Sequence, residues 1–170
     1  MLEIFNELKP FFHDSYRRIN IREYARLAKI SPPSASKMLA FFEKKGLLKR
    51  EAERRYIYYY ANRESRLFVG LSRLYWQEEF ERCGIINSLE RELIEPLIVL
   101  FGSFSKAEIK RDSDIDIAVF SVSTKKVSLE RFEGRLGRKI QMFAYKNMED
   151  VKSRELLNNI MNGFILRGGW

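Results

Sequence analysis

The stretch that decides how this chain is read is LFGSFSKAEIKRDSDID, residues 100–116. An apolar run, Pro96 to Phe101, leads into it and predicts a short strand buried on both faces. Gly102 then lets the backbone turn sharply and admits a close neighbour, so that N–H groups can face phosphate oxygens; Ser103 adds a hydroxyl at the same bend. Ten residues further on, Asp114-Ile115-Asp116 opens a second predicted strand, Ile115–Phe120. Residues two apart on a strand share a face, so Asp114 and Asp116 should present two carboxylates side by side, with Ile115, Ile117 and Val119 facing the core. Paired hard oxygen donors suit Mg²⁺, which takes one or two carboxylates together with substrate phosphates.

Downstream, residues 127–137 read as a helix, Lys139–Ala144 as a third strand and Val151–Leu166 as a helix, before a loose end from Arg167 to Trp170. Upstream, residues 64–94 read as two helices separated near Cys83-Gly84. Leu67, Leu71, Leu74 and Trp76 give the first of them an apolar face. That face is expected to pack as a connector against both flanking domains, with a dimer-forming helix as the alternative.

The segment 100–116 closely resembles the active-site segment of the minimal nucleotidyltransferases of the polymerase-beta superfamily. The resemblance covers roughly residues 85–168 and extends to Leu136-Gly-Arg-Lys-Ile140, similar to the lead into that family's third core strand. Its members transfer a nucleoside monophosphate from a nucleoside triphosphate such as ATP to an acceptor hydroxyl. The resemblance implies that Gly102 and Ser103 hold the triphosphate and that Asp114 and Asp116 are catalytic and bind Mg²⁺. It places Lys106 where a basic residue either meets phosphate or is solvated. The chain departs from the family pattern twice. Ala107 stands where the family often has glycine, and Gln141 where it usually has a third carboxylate that helps hold metal and takes the attacking hydroxyl's proton. A neutral amide cannot serve as that base. Glu133, Glu149 and Asp150 are the candidates to stand in.

The first third of the chain carries a different signal. The net charge is +8, and residues 1–62 hold 13 Lys and Arg against 7 Asp and Glu, leaving only +2 for the rest. A polyanion partner is expected there, since cationic side chains gain affinity by releasing counterions from phosphates. Residues 2–12 read as a helix with Leu2, Phe5, Leu8 and Phe12 on one side. Asn20 and Glu23 have capping-box spacing ahead of a second helix, with Tyr24, Leu27 and Ala28 turned inward. Ser31 and Pro32 open a third helix lined by Met38, Leu39 and Phe42, which Gly46 stops. Leu47–Glu51 and Arg55–Ala61 then read as a hairpin around Ala52-Glu53-Arg54.

Helix, helix, helix, hairpin is the order of a winged helix, and Ser31 to Arg50, including Glu43 to Leu48 (EKKGLL), resembles the recognition helix and first wing strand of winged-helix regulators. On that resemblance Ser34, Ser36 and Lys37 at the start of the third helix contact double-stranded DNA, and Arg54 and Arg55 sit at the wing tip. His13 and Cys83 read as structural residues. With one cysteine and one histidine the chain has neither an internal disulfide nor a Cys/His zinc cluster. No apolar run approaches the roughly 20 residues of a membrane span and the first residues lack a signal-peptide pattern, so no membrane association and a cytoplasmic location are expected.

The expected fold is therefore α+β: a winged helix-turn-helix over residues 1–62, a helical linker over 63–84, and a small nucleotidyltransferase-fold domain over 85–170 with a mixed β-sheet and flanking helices. The expected function is DNA-binding transcriptional regulation by a protein whose second domain binds Mg²⁺ and a nucleoside triphosphate, with Gln141 setting catalysis in question. The alternative is an active enzyme passing the nucleotide to a protein or small-molecule hydroxyl. As many minimal nucleotidyltransferases are antitoxins, the resemblance brings in a HEPN-domain toxin as a candidate partner beside a second copy of the chain. An antibiotic-modifying role is the third reading, and it leaves the basic N-terminal region without a purpose.

Overall fold

The computed structural model describes residues 3–170 apart from Thr124 and Lys126, so the position expected of Leu2 lies outside the described residues. The chain divides into two compact units. The first holds residues 1–75 and 107–111; the second holds 76–106 and 112–170.

In the first unit, α1 (Glu3–His13) buries Phe5, Leu8, Phe11 and Phe12. A two-residue strand, β1 (Ile19–Asn20), leads into α2 (Ile21–Ala28), whose first turn is capped by the Asn20 side chain accepting from the Glu23 N–H. Glu23 itself turns away to Arg17, at 2.6 Å. Ser31 caps α3 (Pro32–Lys44) in the same way, with Pro32 in the first turn. The hairpin follows as β2 (Leu48–Glu53) and β3 (Tyr56–Ala61), and β1 joins it antiparallel on the β3 side.

Two expectations are corrected here. Leu27 is exposed, and Ala25 takes the buried place beside Tyr24. The hairpin turn is Arg54-Arg55, not Ala52 to Arg54, with Arg54 in the left-handed region at φ +54°. Strand pairing runs on through Ala52 and Glu53, which shortens the turn to two residues.

One helix, α4 (Arg66–Cys83), passes from the first unit into the second. Its buried residues are Phe68, Ser72, Tyr75, Trp76, Phe80 and Cys83. Leu67 and Leu74, expected to pack inward, lie on the exposed side. The aromatic rings win the interior because they offer more area and mutual edge or stacked contacts, such as Phe12 with Tyr75 in the first unit, at 5.1 Å.

Gly84, at φ +84°, separates α4 from α5 (Ile85–Glu92). The second unit is then built on a four-stranded mixed sheet in the order β6-β5-β4-β7. β4 (Leu97–Phe101) pairs antiparallel with β5 (Ile115–Phe120), which pairs parallel with β6 (Ile140–Tyr145). All five β4 residues are buried, as the unbroken apolar run predicts. In β5 burial extends to every residue except Asp116, so the strand is covered on both faces beyond its first turn. Leu97, Val99 and Phe101 share one face with Ala118, Phe120, Val151 and Ile160. The connections hold α6 (Gly102–Lys106), α7 (Glu130–Leu136) and a 3₁₀ turn at Met148–Asp150.

The C-terminal helix is shorter than expected. α8 (Arg154–Met161) stops at Asn162, and Phe164–Arg167 forms β7 on the free edge of β4. Gly163 makes this reversal fit: a Cβ there would lie 2.6 Å from the Leu100 carbonyl oxygen and 2.8 Å from that of Ile160. Backbone cannot yield as a side-chain tip does. Gly163→Ala should therefore destabilise the fold by about 1–3 kcal/mol, read as a lower urea midpoint at an unchanged denaturant slope in fluorescence-monitored unfolding.

Candidate nucleotide and metal site

Three strand ends meet at one place in the second unit. Because β4 and β5 run antiparallel, the last residue of β4, Phe101, pairs with Asp116 near the start of β5. Because β5 and β6 run parallel, Gln141 near the start of β6 pairs with Asp116 from the other side. Asp114 immediately precedes β5, and Gly102 and Ser103 immediately follow β4. Residues forty apart in sequence are thus gathered by strand register alone.

At the bend, Gly102 adopts φ +67° and opens α6. The Asp116 carboxylate lies directly against it, where a Cβ on residue 102 would stand 2.3 Å from Oδ2. Two independent reasons, conformation and space, require glycine here. The Ser105 hydroxyl donates to the Gly102 carbonyl at 2.9 Å and ties down the first turn of α6. Ser103 is half-buried beside the bend, whereas Lys106 is exposed at the end of α6. Ala107 follows in the left-handed region at φ +55°, fully buried, a conformation that costs a residue with a side chain of order 1 kcal/mol relative to glycine.

Asp114 and Asp116 are both half-buried and close enough to repel. Burial, and then the Asp114 charge, push the Asp116 carboxyl above its ordinary value. Gln141 donates its amide N–H to Asp114 Oδ2 at 2.7 Å, so the third position on this sheet edge holds a neutral donor that fixes one acid. Arg138 donates to the Ser113 carbonyl at 3.0 Å while its guanidinium lies over the Phe104 ring, steadying the approach to Asp114. Sequence reasoning missed Arg138, whose role depends on a contact twenty-five residues away.

The candidates to replace the third carboxylate are committed elsewhere. Glu133 accepts from the Ile140 N–H at 2.9 Å and from Lys139 Nζ at 3.1 Å, contacts that hold its carboxyl below the usual range. Asp150 accepts from the N–H groups of Lys146 and Asn147, and with Glu149 it follows the opposite end of β6, on the order of 15 Å along the strand from Gln141. Among the described residues no group of three or more His, Cys, Asp or Glu is arranged to hold a metal. The donor set fits a cation held by the Asp114 and Asp116 oxygens, with the remaining positions left to phosphate and water.

In the first unit, Ser34 and Lys37 are exposed on α3 and Ser36 is half-buried on its flank. Ser34 also joins the helix cap, its hydroxyl 2.9 Å from that of Ser31. Pro33, Lys37, Ala40, Phe41 and Lys44 extend the exposed face along the helix. Arg54 and Arg55 form the exposed hairpin tip. Nearby Glu51 and Glu53 are paired with Arg18, which stacks over Tyr58 at 4.7 Å.

With this geometry in place, comparison with known families finds that residues 85–164 match the model described as Polymerase beta, Nucleotidyltransferase. The second part of the chain is thus similar to a nucleotidyltransferase domain, and the matched span takes in the bend, both aspartates and Gln141. No curated protein matches the chain at a significant level. Among the described residues no helix is long and apolar enough to cross a membrane.

The raised Asp116 carboxyl has a consequence for stability. An acid whose folded pKa lies above its unfolded one binds its proton more tightly when folded, so its contribution is present at low pH and lost as pH rises through the folded value. At neutral pH the ionised Asp116 costs stability. Asp116→Asn should raise the thermal midpoint in chelator at about pH 7, and the gain should shrink as the pH falls toward about 4, where both states of the wild-type acid take up a proton.

Proposed function

We propose that this chain is a DNA-binding regulator whose nucleotidyltransferase-type domain binds a magnesium–nucleoside triphosphate and turns it over poorly or not at all. The observation that carries the reading is the Gln141 amide donating to Asp114 beside an otherwise complete cradle of Gly102, Ser103, Asp114 and Asp116. In this reading the N–H groups at the Gly102-Ser103 bend receive phosphate oxygens, and the Ser103 hydroxyl joins them. Asp114 and Asp116 hold the cation. Magnesium, when bound, neutralises phosphate charge and orients the reacting phosphoryl group. Gln141 keeps Asp114 in one orientation but cannot accept a proton from an attacking hydroxyl.

In the first unit, α3 serves as the recognition helix of a winged helix, offering Ser34, Ser36 and Lys37 to a DNA groove, with Arg54 and Arg55 on phosphate at the wing tip. The exposed placement of Lys37, Arg54 and Arg55 supports this, as does the concentration of positive charge before residue 63.

A second reading is active transfer to a protein or small-molecule hydroxyl, for which the same cradle of Gly102, Ser103, Asp114 and Asp116 would hold nucleotide and cation. Incubation with α-labelled ATP, Mg²⁺ and candidate acceptors, the chain itself included, separates the two. The regulator reading expects Mg²⁺-dependent triphosphate binding that Asp114→Ala, Asp116→Ala and Gly102→Ala each remove, with little label transferred by the wild type. Gln141→Glu should raise transfer by roughly 10²-fold or more, the scale of a positioned general base. Rapid wild-type transfer, unchanged in Gln141→Glu, overturns the regulator reading in favour of the enzyme.

For the DNA half, duplex affinity should fall steeply with salt, and Lys37→Ala or Arg55→Ala should each reduce the slope of log K against log salt by about one. Salt-independent binding in a fluorescence anisotropy titration contradicts the assignment.

A further inference from the structure

One short stretch inside the family-matched span belongs to the first unit. Residues 107–111 group there, while 102–106 before them and 112–116 after them lie in the second unit and carry the two halves of the cradle. The stretch is firmly held where it lies. Ala107 and Ile109 are fully buried. The Ile109 carbonyl accepts twice from one residue, from the Ser15 backbone N–H at 2.8 Å and from the Ser15 hydroxyl at 3.0 Å. Ser15 is itself buried, between α1 and β1. Beside it, the Tyr16 ring lies under the Arg63 guanidinium at 3.8 Å and the Lys110 ammonium at 5.5 Å.

This hold exceeds what satisfying a buried carbonyl requires. One donor is enough for that, yet both acceptor sites of the Ile109 oxygen are taken by a single residue. Ala107, where the chain enters the first unit, keeps a left-handed backbone at φ +55° despite its side chain. Such a conformation persists only where the surroundings over-determine it.

We propose that Ser15 is a positioning residue for the cradle. The Gly102-Ser103 bend and Asp114 stand at the two ends of one loop, closed by the pairing of β4 with β5, with Ile109 near its middle. Pinning the middle removes much of the loop's freedom, so less order has to be created when phosphate and cation arrive. Asp114 gains most, because it precedes β5 and strand pairing does not hold it. By linkage the effect is mutual: a nucleotide in the cradle tightens the hold at Ser15, in the turn that leads into β1 of the proposed winged helix. The effect on affinity rests on the nucleotide reading above, whereas the effect on the geometry of the cradle does not.

Solution NMR of the full chain reads that geometry without a ligand. The Gln141 side-chain amide reports its bond to Asp114, and the Ile115 N–H, which donates to the Lys139 carbonyl at 2.9 Å, reports the start of β5. Ser15→Ala should move the Gln141 amide resonances toward those of a free glutamine and speed Ile115 exchange by about fivefold, the scale of one buried hydrogen bond. Titration calorimetry with Mg²⁺ and a nonhydrolysable ATP analogue should show affinity weakened by a similar factor. Ile109→Ala loosens the same stretch from its other side and should give the same changes. Leu39→Val, in the core of α3, serves as the control: it should lower the thermal midpoint and leave all three readings as in the wild type. Cradle signals unmoved in Ser15→Ala and Ile109→Ala, or moved equally by Leu39→Val, overturn the proposal and leave Ser15 a structural residue of the first unit. A wild type without nucleotide affinity removes the nucleotide reading instead, and the two NMR readings then decide the positioning role alone.

Discussion

The antiparallel pairing of β4 with β5 is the constraint on which the candidate site depends. It places Phe101 opposite Asp116, so the bend that follows β4 must fall against the carboxylate near the start of β5. A shift of one residue would turn Asp116 into the interior and carry a neighbouring isoleucine to the bend. The buried run from Leu97 to Phe101 and the buried residues from Ile117 to Phe120 forbid that shift, because each would have to surrender apolar contacts on both faces. Hydrophobic packing far from the acids thus fixes their place on the sheet, with Asp114 within hydrogen-bonding distance of Gln141.

Why this much was legible from sequence is physical. Gly102 cannot be replaced without collision with Asp116, and the two aspartates must flank one isoleucine to share a face, so the site leaves its mark as residue type at fixed spacing. Capping is equally local: Asn20 and Ser31 bond to N–H groups three residues ahead, and both helix starts could be read directly. Gln141 was visible as a departure, but its bond to Asp114 joins residues twenty-seven apart and needed the sheet register.

Other features were illegible because they are settled by competition between distant segments. Leu67, Leu71 and Leu74 have the spacing of a buried stripe, yet Phe68, Tyr75, Trp76 and Phe80 on the same helix took the interior. Periodicity identifies an apolar face; when a helix has two, it does not say which is covered. The segment ending in Phe164–Arg167 contains a helical pattern that fails at Gly163, where only the presence of β4, with an open edge and its Leu100 carbonyl nearby, makes a strand the better outcome. Arg54 and Arg55 became the whole turn because Glu53 found a partner across the hairpin in Tyr56.

The amide at position 141 also bears on how the domain tolerates its own site. Asp114 and Asp116 already repel, and burial adds to the cost of keeping Asp116 ionised. A third carboxylate in the place of Gln141 would bring another negative charge against Asp114 and raise that cost whenever no cation is bound. The amide removes the third charge and supplies a donor in its stead, converting a repulsion into the 2.7 Å bond observed. A cradle of this kind carries less repulsion when no metal is bound, which suits a domain proposed to bind a nucleotide and report its presence. An enzyme gains more from three acids despite their mutual repulsion, because the cations that relieve the repulsion are the ones that carry its chemistry.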